Sequence, residues 1–198
     1  MDNSIHSKLK KLIELYARTK HLMIKAEEFD LAVSNTYLQP RLELFQAFDH
    51  LISDYLVKNI NGEEGDLESA IKHVVTAFFD IADWTMIIIW ERVREELRKY
   101  SPETITTAIP SYYSEIRPEL EQLKEKITCI RANKVQETLE DTDRYVELIE
   151  RAYDHAKTIL RAKGTMLELQ SKRRFMTWIG PVIGFLGIVV AIITIFIK

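Results

Sequence analysis

Apolar residues return at helical spacing through most of this chain, and no stretch alternates convincingly as a strand would. Ile5, Leu9, Leu12, Ile13 and Tyr16 keep a helical period among Lys8, Lys10 and Lys11, which predicts a helix from about Ser4 to Phe29. A break is expected at Asn35 to Pro40, because proline disfavours helix in the residue before it. Leu44, Phe48, Leu51, Ile52 and Tyr55 mark the core stripe of a second helix, from about Pro40 to Lys58. Asn59-Ile60-Asn61-Gly62-Glu63-Glu64-Gly65 has turn chemistry and predicts a loop.

Asp66 is placed to cap a third helix running to Tyr100. Ile71, Val74, Val75, Phe78, Phe79 and Ala82 share one side of it. From Trp84 to Trp90 the pattern is apolar almost all round, which predicts a central helix enclosed by others, with a subunit contact around the two tryptophans. Its charged flanks, Asp80, Asp83 and Glu91, argue against a membrane span there. Ser101-Pro102-Glu103 reads as a helix start, a capping serine with proline at the first helical position. Pro110 and Pro118 divide the next stretch into short or kinked helices. A long final helix from about Pro118, with a break near Asn133, carries Leu148, Ile149, Ala152, Ala156, Ile159, Leu160, Met166 and Leu167. Gly164 weakens it locally.

Near the end the pattern changes character. No residue from Phe175 to Ile197 is charged, and at about 1.5 Å per residue the run is roughly 33 Å long, enough to cross a hydrocarbon core. Lys172, Arg173 and Arg174 precede it, and Trp178 is placed for the headgroup region. The positive-inside rule then predicts that residues 1–170 form a cytoplasmic helical bundle. Residues 171–198 form a juxtamembrane basic patch and a single-pass span, which in a bacterium means the inner membrane. Projected at about 100° per residue, Thr177, Gly180, Gly184, Gly187, Ala191 and Thr194 fall on one stripe. Phe185, Leu186, Val189, Ile193 and Phe196 face the other way. Small residues let helices approach closely in lipid and threonine can add hydrogen bonds, so the stripe predicts a homo-oligomer. Pro181 is expected in the first turns of the membrane helix, setting the angle at which it enters. The expected architecture is all-α, an antiparallel helical bundle with one C-terminal transmembrane helix.

Composition agrees with a helical chain, since the 198 residues include only 6 glycines and 5 prolines. Cys129 is the single cysteine, which excludes an internal disulfide framework and a cysteine-rich zinc site. The first twenty residues are too charged to read as a signal peptide. The net charge is −3, and residues 171–198 hold four positive and no negative charges, so residues 1–170 carry −3 − 4 = −7. An acidic domain of this kind argues against DNA as a partner.

The sequence has no glycine-rich phosphate loop, no HExxH and no GxSxG. His6, His21, His50, His73 and His155 are scattered singly, so neither a metal nor a cofactor is expected. Glu63/Glu64 and Glu140/Asp141 read as solvated pairs. Two stretches carry candidate chemistry. In Glu43-Leu44-Phe45-Gln46-Ala47-Phe48-Asp49-His50, the histidine falls on the polar face with Glu43, Gln46, Ser53 and Asp54, while Arg41 projects to the opposite side. In Arg151-Ala152-Tyr153-Asp154-His155, the arginine and histidine share a face, with Glu147 set to support Arg151 at i,i+4.

These stretches resemble the HEPN superfamily of small helical domains, many of which cleave RNA with an arginine and a histidine separated by four to six residues. Phe45 and Gln46 stand where that arginine would precede His50, and only three residues separate Arg151 from His155. The resemblance implies a HEPN-like fold and makes Arg151, His155 and His50 the candidate catalytic residues of a membrane-tethered ribonuclease. A small HEPN-like domain joined to one membrane helix is similar in layout to the small membrane accessory proteins of type VI-B CRISPR systems. That likeness implies a pore-like, membrane-depolarising assembly in antiviral defence, linked in function rather than by direct contact to an RNA-guided nuclease. With no complete catalytic set, the expected protein is a non-enzymatic membrane effector whose partners are its own copies and the lipid bilayer. A tail-anchored tether of SNARE-like kind is the remaining alternative, because small and apolar residues recur at coiled-coil-like spacing from Tyr145 to Leu169.

Overall fold

The computed structural model describes residues 3–29, 38–61, 67–132 and 139–196, except the side chains of 3–4, 131–132, 139–140, 182 and 190–196. In chain order the helices are α1 (Asn3–Phe29), α2 (Leu38–His50), α3 (Lys58–Ile60), α4 (Glu68–Leu97), α5 (Pro102–Ala108), α6 (Arg117–Ala132), α7 (Leu139–Arg161) and α8 (Lys163–Phe196). A π-helical turn, Leu51–Val57, joins α2 to α3, and a second, Tyr112–Ile116, leads into α6. No strand occurs among the described residues.

α4 is the centre, with α1, α2 and α7 packed on it, α6 against α7, and α5 beside α8. Ile71, Val74, Phe78, Ile81, Ile89 and Val93 of α4 are buried, as the apolar period requires. Phe78, Phe79 and Tyr145 of α7 meet edge to face, and the Tyr145 hydroxyl donates to the carbonyl of Ile127 at 3.3 Å. That bond gives a partner to the hydroxyl of a side chain that is only 1% exposed. By length and composition α4 is the one helix among the described residues able to cross a membrane, and 56% of its most apolar window is buried inside the bundle.

Several expectations shift. α2 begins at Leu38 rather than Pro40, because a first-turn proline lacks an amide that the helix would leave unbonded anyway. The same helical path continues to Ile60, past the expected loop start at Asn59. Leu67, almost fully buried, holds the cap position of α4, whereas Asp66 lies outside the described residues. The stretch from Trp84 to Trp90 is not enclosed all round: Trp84 is 39% and Ile87 48% exposed, one helical turn apart. Trp90 is half-buried beneath the Lys124 ammonium, 5.1 Å from its ring centroid. Ser101 does cap α5, accepting from the Thr104 amide at 3.3 Å ahead of Pro102. The predicted break near Asn133 lies outside the described residues.

α7 and α8 meet at Ala162 with little interruption, since the Ala162 amide donates to the Thr158 carbonyl and the Met166 amide to the Ala162 carbonyl. Pro181 is therefore not in the first turns of its helix but deep within the 34 residues of α8. Lacking an amide hydrogen, it leaves the carbonyl four residues back without its usual helical donor.

Candidate functional site

Arg151 and His155 lie one turn apart on α7, and both reach the same carboxylate on α6. Arg151 Nη2 donates to Glu119 Oε1, and His155 Nε2 lies 2.8 Å from Glu119 Oε2. The Arg151 hydrogen bond holds the Glu119 carboxyl below its usual range, with burial opposing and His155 adding to the effect. Glu119, not Glu147, is thus the partner of Arg151. The expected helix-surface pair is replaced by a tie between two helices, because α6 packs against this face of α7. An RNA phosphate approaching the pair would have to displace a bonded carboxylate. Local sequence gave no sign of Glu119, which lies 32 residues before Arg151.

His50 sits in a separate cluster. Its Nδ1 pairs with Asp54 Oδ2, as the predicted polar face allowed, and this bond lowers the Asp54 carboxyl. His50 also stacks on His73 of α4, with centroids 5.1 Å apart and planes 12° apart. His73 Nδ1 in turn donates to Glu43 Oε2 at 2.7 Å. Histidines that looked single in the sequence are paired here by helix packing. His50 shares no partner with Arg151 and His155, so the three candidate catalytic residues are not assembled around one group. No cluster of three or more histidine, cysteine or acidic ligands able to hold a metal ion occurs among the described residues.

The basic segment is more occupied than its sequence suggests. Arg173 Nη1 donates to Ser101 Oγ at 3.0 Å and to Glu103 Oε2 at 2.9 Å, clamping α8 to the start of α5. The Glu103 carboxyl is lowered first by its own backbone amide and next by Arg173. Lys172 pairs with Glu168 at 2.7 Å. Of Lys172, Arg173 and Arg174, only Arg174 lacks an ion-pair partner among the described residues.

Beyond this clamp the described side chains of α8 leave the bundle. Met166 is fully buried, whereas Phe175 is 68%, Met176 74% and Trp178 75% exposed. Ile183, Phe185, Leu186 and Ile188 are likewise more than half exposed. Nothing lies within 4 Å of where a Cβ would stand on Gly180, Gly184 or Gly187. Thr177, at the near end of the stripe, already donates its hydroxyl to the Arg173 carbonyl at 2.8 Å, so that proton serves its own helix. The side chains of Ala191 and Thr194, like the others from Val190 to Phe196, are not among those described, and Ile197 lies outside the described residues. No family model, curated protein or solved structure matches this chain.

Proposed function

We propose that the chain is a membrane-anchored, self-associating effector without catalytic activity of its own. The observation that carries this reading is α8, a 34-residue helix on which Phe175, Met176, Trp178, Ile183, Phe185, Leu186 and Ile188 are each more than half exposed. Water solvates such a surface poorly, at roughly 25 cal/mol per Å² of apolar area, and a bilayer relieves that cost. α4, although the one described helix that could cross a membrane by length and composition, is partly buried in the bundle, and we read it as the core helix rather than the span. It carries Asp80, Asp83, Glu91, Glu95 and Glu96, and most of its apolar side chains are buried in the bundle.

The open faces of Gly180, Gly184 and Gly187 support helix–helix association within the membrane. On the resemblance to the HEPN superfamily and to the membrane accessory proteins of type VI-B CRISPR systems, the assembly is a pore-like device that depolarises the bacterial inner membrane in antiviral defence. Its lining is glycine, threonine and apolar residues, which gate by dewetting rather than by a charged ring. The engagement of Arg151 and His155 by Glu119 favours this reading over a tethered ribonuclease. A potential-sensitive dye in bacterial cells expressing the full chain tests it. Depolarisation is expected with the full chain and not when residues 171–198 are deleted. A steady potential in cells whose membrane fraction contains the full chain refutes it.

A further inference from the structure

The C-terminal end of α4, α5 and the π-helical turn before α6 enclose a groove of about 470 Å³, within the range of small-ligand sites. Its bed is apolar, and Arg94, Arg98 and Arg117 line it with a single carboxylate, Glu121. Three guanidinium groups against one carboxylate give the lining a charge of +3 − 1 = +2, in a domain whose sequence carries −7. A cationic concavity that opposes the charge of its own domain concentrates anions.

The existing partners of these arginines are weak competitors. Arg94 lies 3.7 Å from Glu91 and Arg117 3.0 Å from Glu121, both pairs more than half exposed. Such pairs contribute about 0–1 kcal/mol. Arg98 makes no ion pair with a described residue. Guanidinium groups bind phosphate through paired, charge-assisted bonds that lysine cannot reproduce.

The groove also offers a flat apolar surface beside these charges. Tyr113 is 39% exposed, and its ring is held edge to face by buried Tyr112 at 4.8 Å. The π-helical turn places Tyr113 four residues before Arg117, and both side chains line the groove. We infer that this groove binds a nucleotide, with Tyr113 stacking on the base and Arg98 and Arg117 holding the phosphate. Stacking on tyrosine accepts any base, because every base has a π-face.

The test is titration calorimetry on the full chain in neutral-detergent micelles. The ligands are AMP, GMP, CMP and UMP, compared with adenosine, inorganic phosphate and glycerol 3-phosphate. At least one nucleotide is expected to bind about tenfold more tightly than each of the three comparison ligands. Arg98→Ala is expected to weaken that nucleotide about tenfold, and Tyr113→Ala to weaken it while leaving inorganic phosphate unchanged. Both residues are exposed, and an unaltered melting curve verifies that each variant is folded. Absence of nucleotide binding overturns the inference. So does nucleotide affinity that survives both substitutions. Glycerol 3-phosphate binding as tightly as the best nucleotide also overturns it, marking a lipid-phosphate site instead. None of these outcomes depends on whether α8 forms a pore.

Discussion

Replacing Gly184 and Gly187 together by leucine tests α8 as a helix–helix interface without disturbing the rest of the chain. A Cβ at either position meets nothing within 4 Å, so neither substitution starts from a clash in the isolated molecule. Leucine also favours helix over glycine by about 0.8 kcal/mol per site, so α8 itself gains rather than loses. Between two helices the sign reverses. Interaxial distance follows the side chains at the contact over about 8–10 Å, and leucines at the stripe move the axes toward the long end. On the order of 20 atom pairs at about 0.15 kcal/mol each then lose contact, about 3 kcal/mol in all. That corresponds to about a hundredfold in the association constant. Light scattering of the full chain in neutral detergent, over a dilution series, measures this. The double variant should dissociate at about a hundredfold higher concentration than the parent. Phe185→Leu with Leu186→Ala, on the opposite side of the helix, should leave the mass unchanged. An unchanged mass in the leucine variant at every dilution refutes the interface, as does equal disruption by the opposite-face control.

Glu96 is fully buried at the end of α4, accepting from Lys99 at 2.8 Å and from the Tyr100 hydroxyl at 3.0 Å, with Lys163 at 3.7 Å. Burial raises its carboxyl, but these donors and charges outweigh it and the net direction is down. Its stabilising contribution is therefore complete above the ordinary glutamate value of 4.5 and is lost as the pH falls through the lower folded value. Urea unfolding across that acid range should show this decline, and Glu96→Gln, costing about 2 kcal/mol at neutral pH, should flatten it. An equally steep acid decline in the variant refutes the assignment. Arg151→Ala and His155→Ala should each lower stability by about 1 kcal/mol in the same assay. Neither should alter the rate at which RNA decays beside the full chain, and a cleavage activity lost in His155→Ala would restore the ribonuclease reading.

The apolar period gave the helices of the bundle, and the Ser101-Pro102 pair gave the start of α5, because both signals act within one turn of backbone. His50 with Asp54 was legible for the same reason, as an i,i+4 relation on a single helix. The misses share a different cause. Glu119 joins Arg151 and His155 across α6 and α7, Glu103 joins Arg173 across about 70 residues, and His73 reaches His50 from another helix. Each depends on the rotation and axial offset of two packed helices, and neither quantity is written in the period of either one.

The sequence by itself determined that this chain is helical, that its run from Phe175 to Ile197 is apolar and free of charge, and that small residues gather on one side of that run when it is read as a helix. These are properties of a single helix and follow from composition at fixed spacing. Tertiary structure decided which charges remain available. It ties Arg151 and His155 to Glu119, commits Arg173 to α5, and gathers Arg94, Arg98 and Arg117 around one groove with Tyr113. The physical reason is distance: charges and rings interact over a few ångströms, and only the packing of helices brings residues so far apart in sequence within that reach.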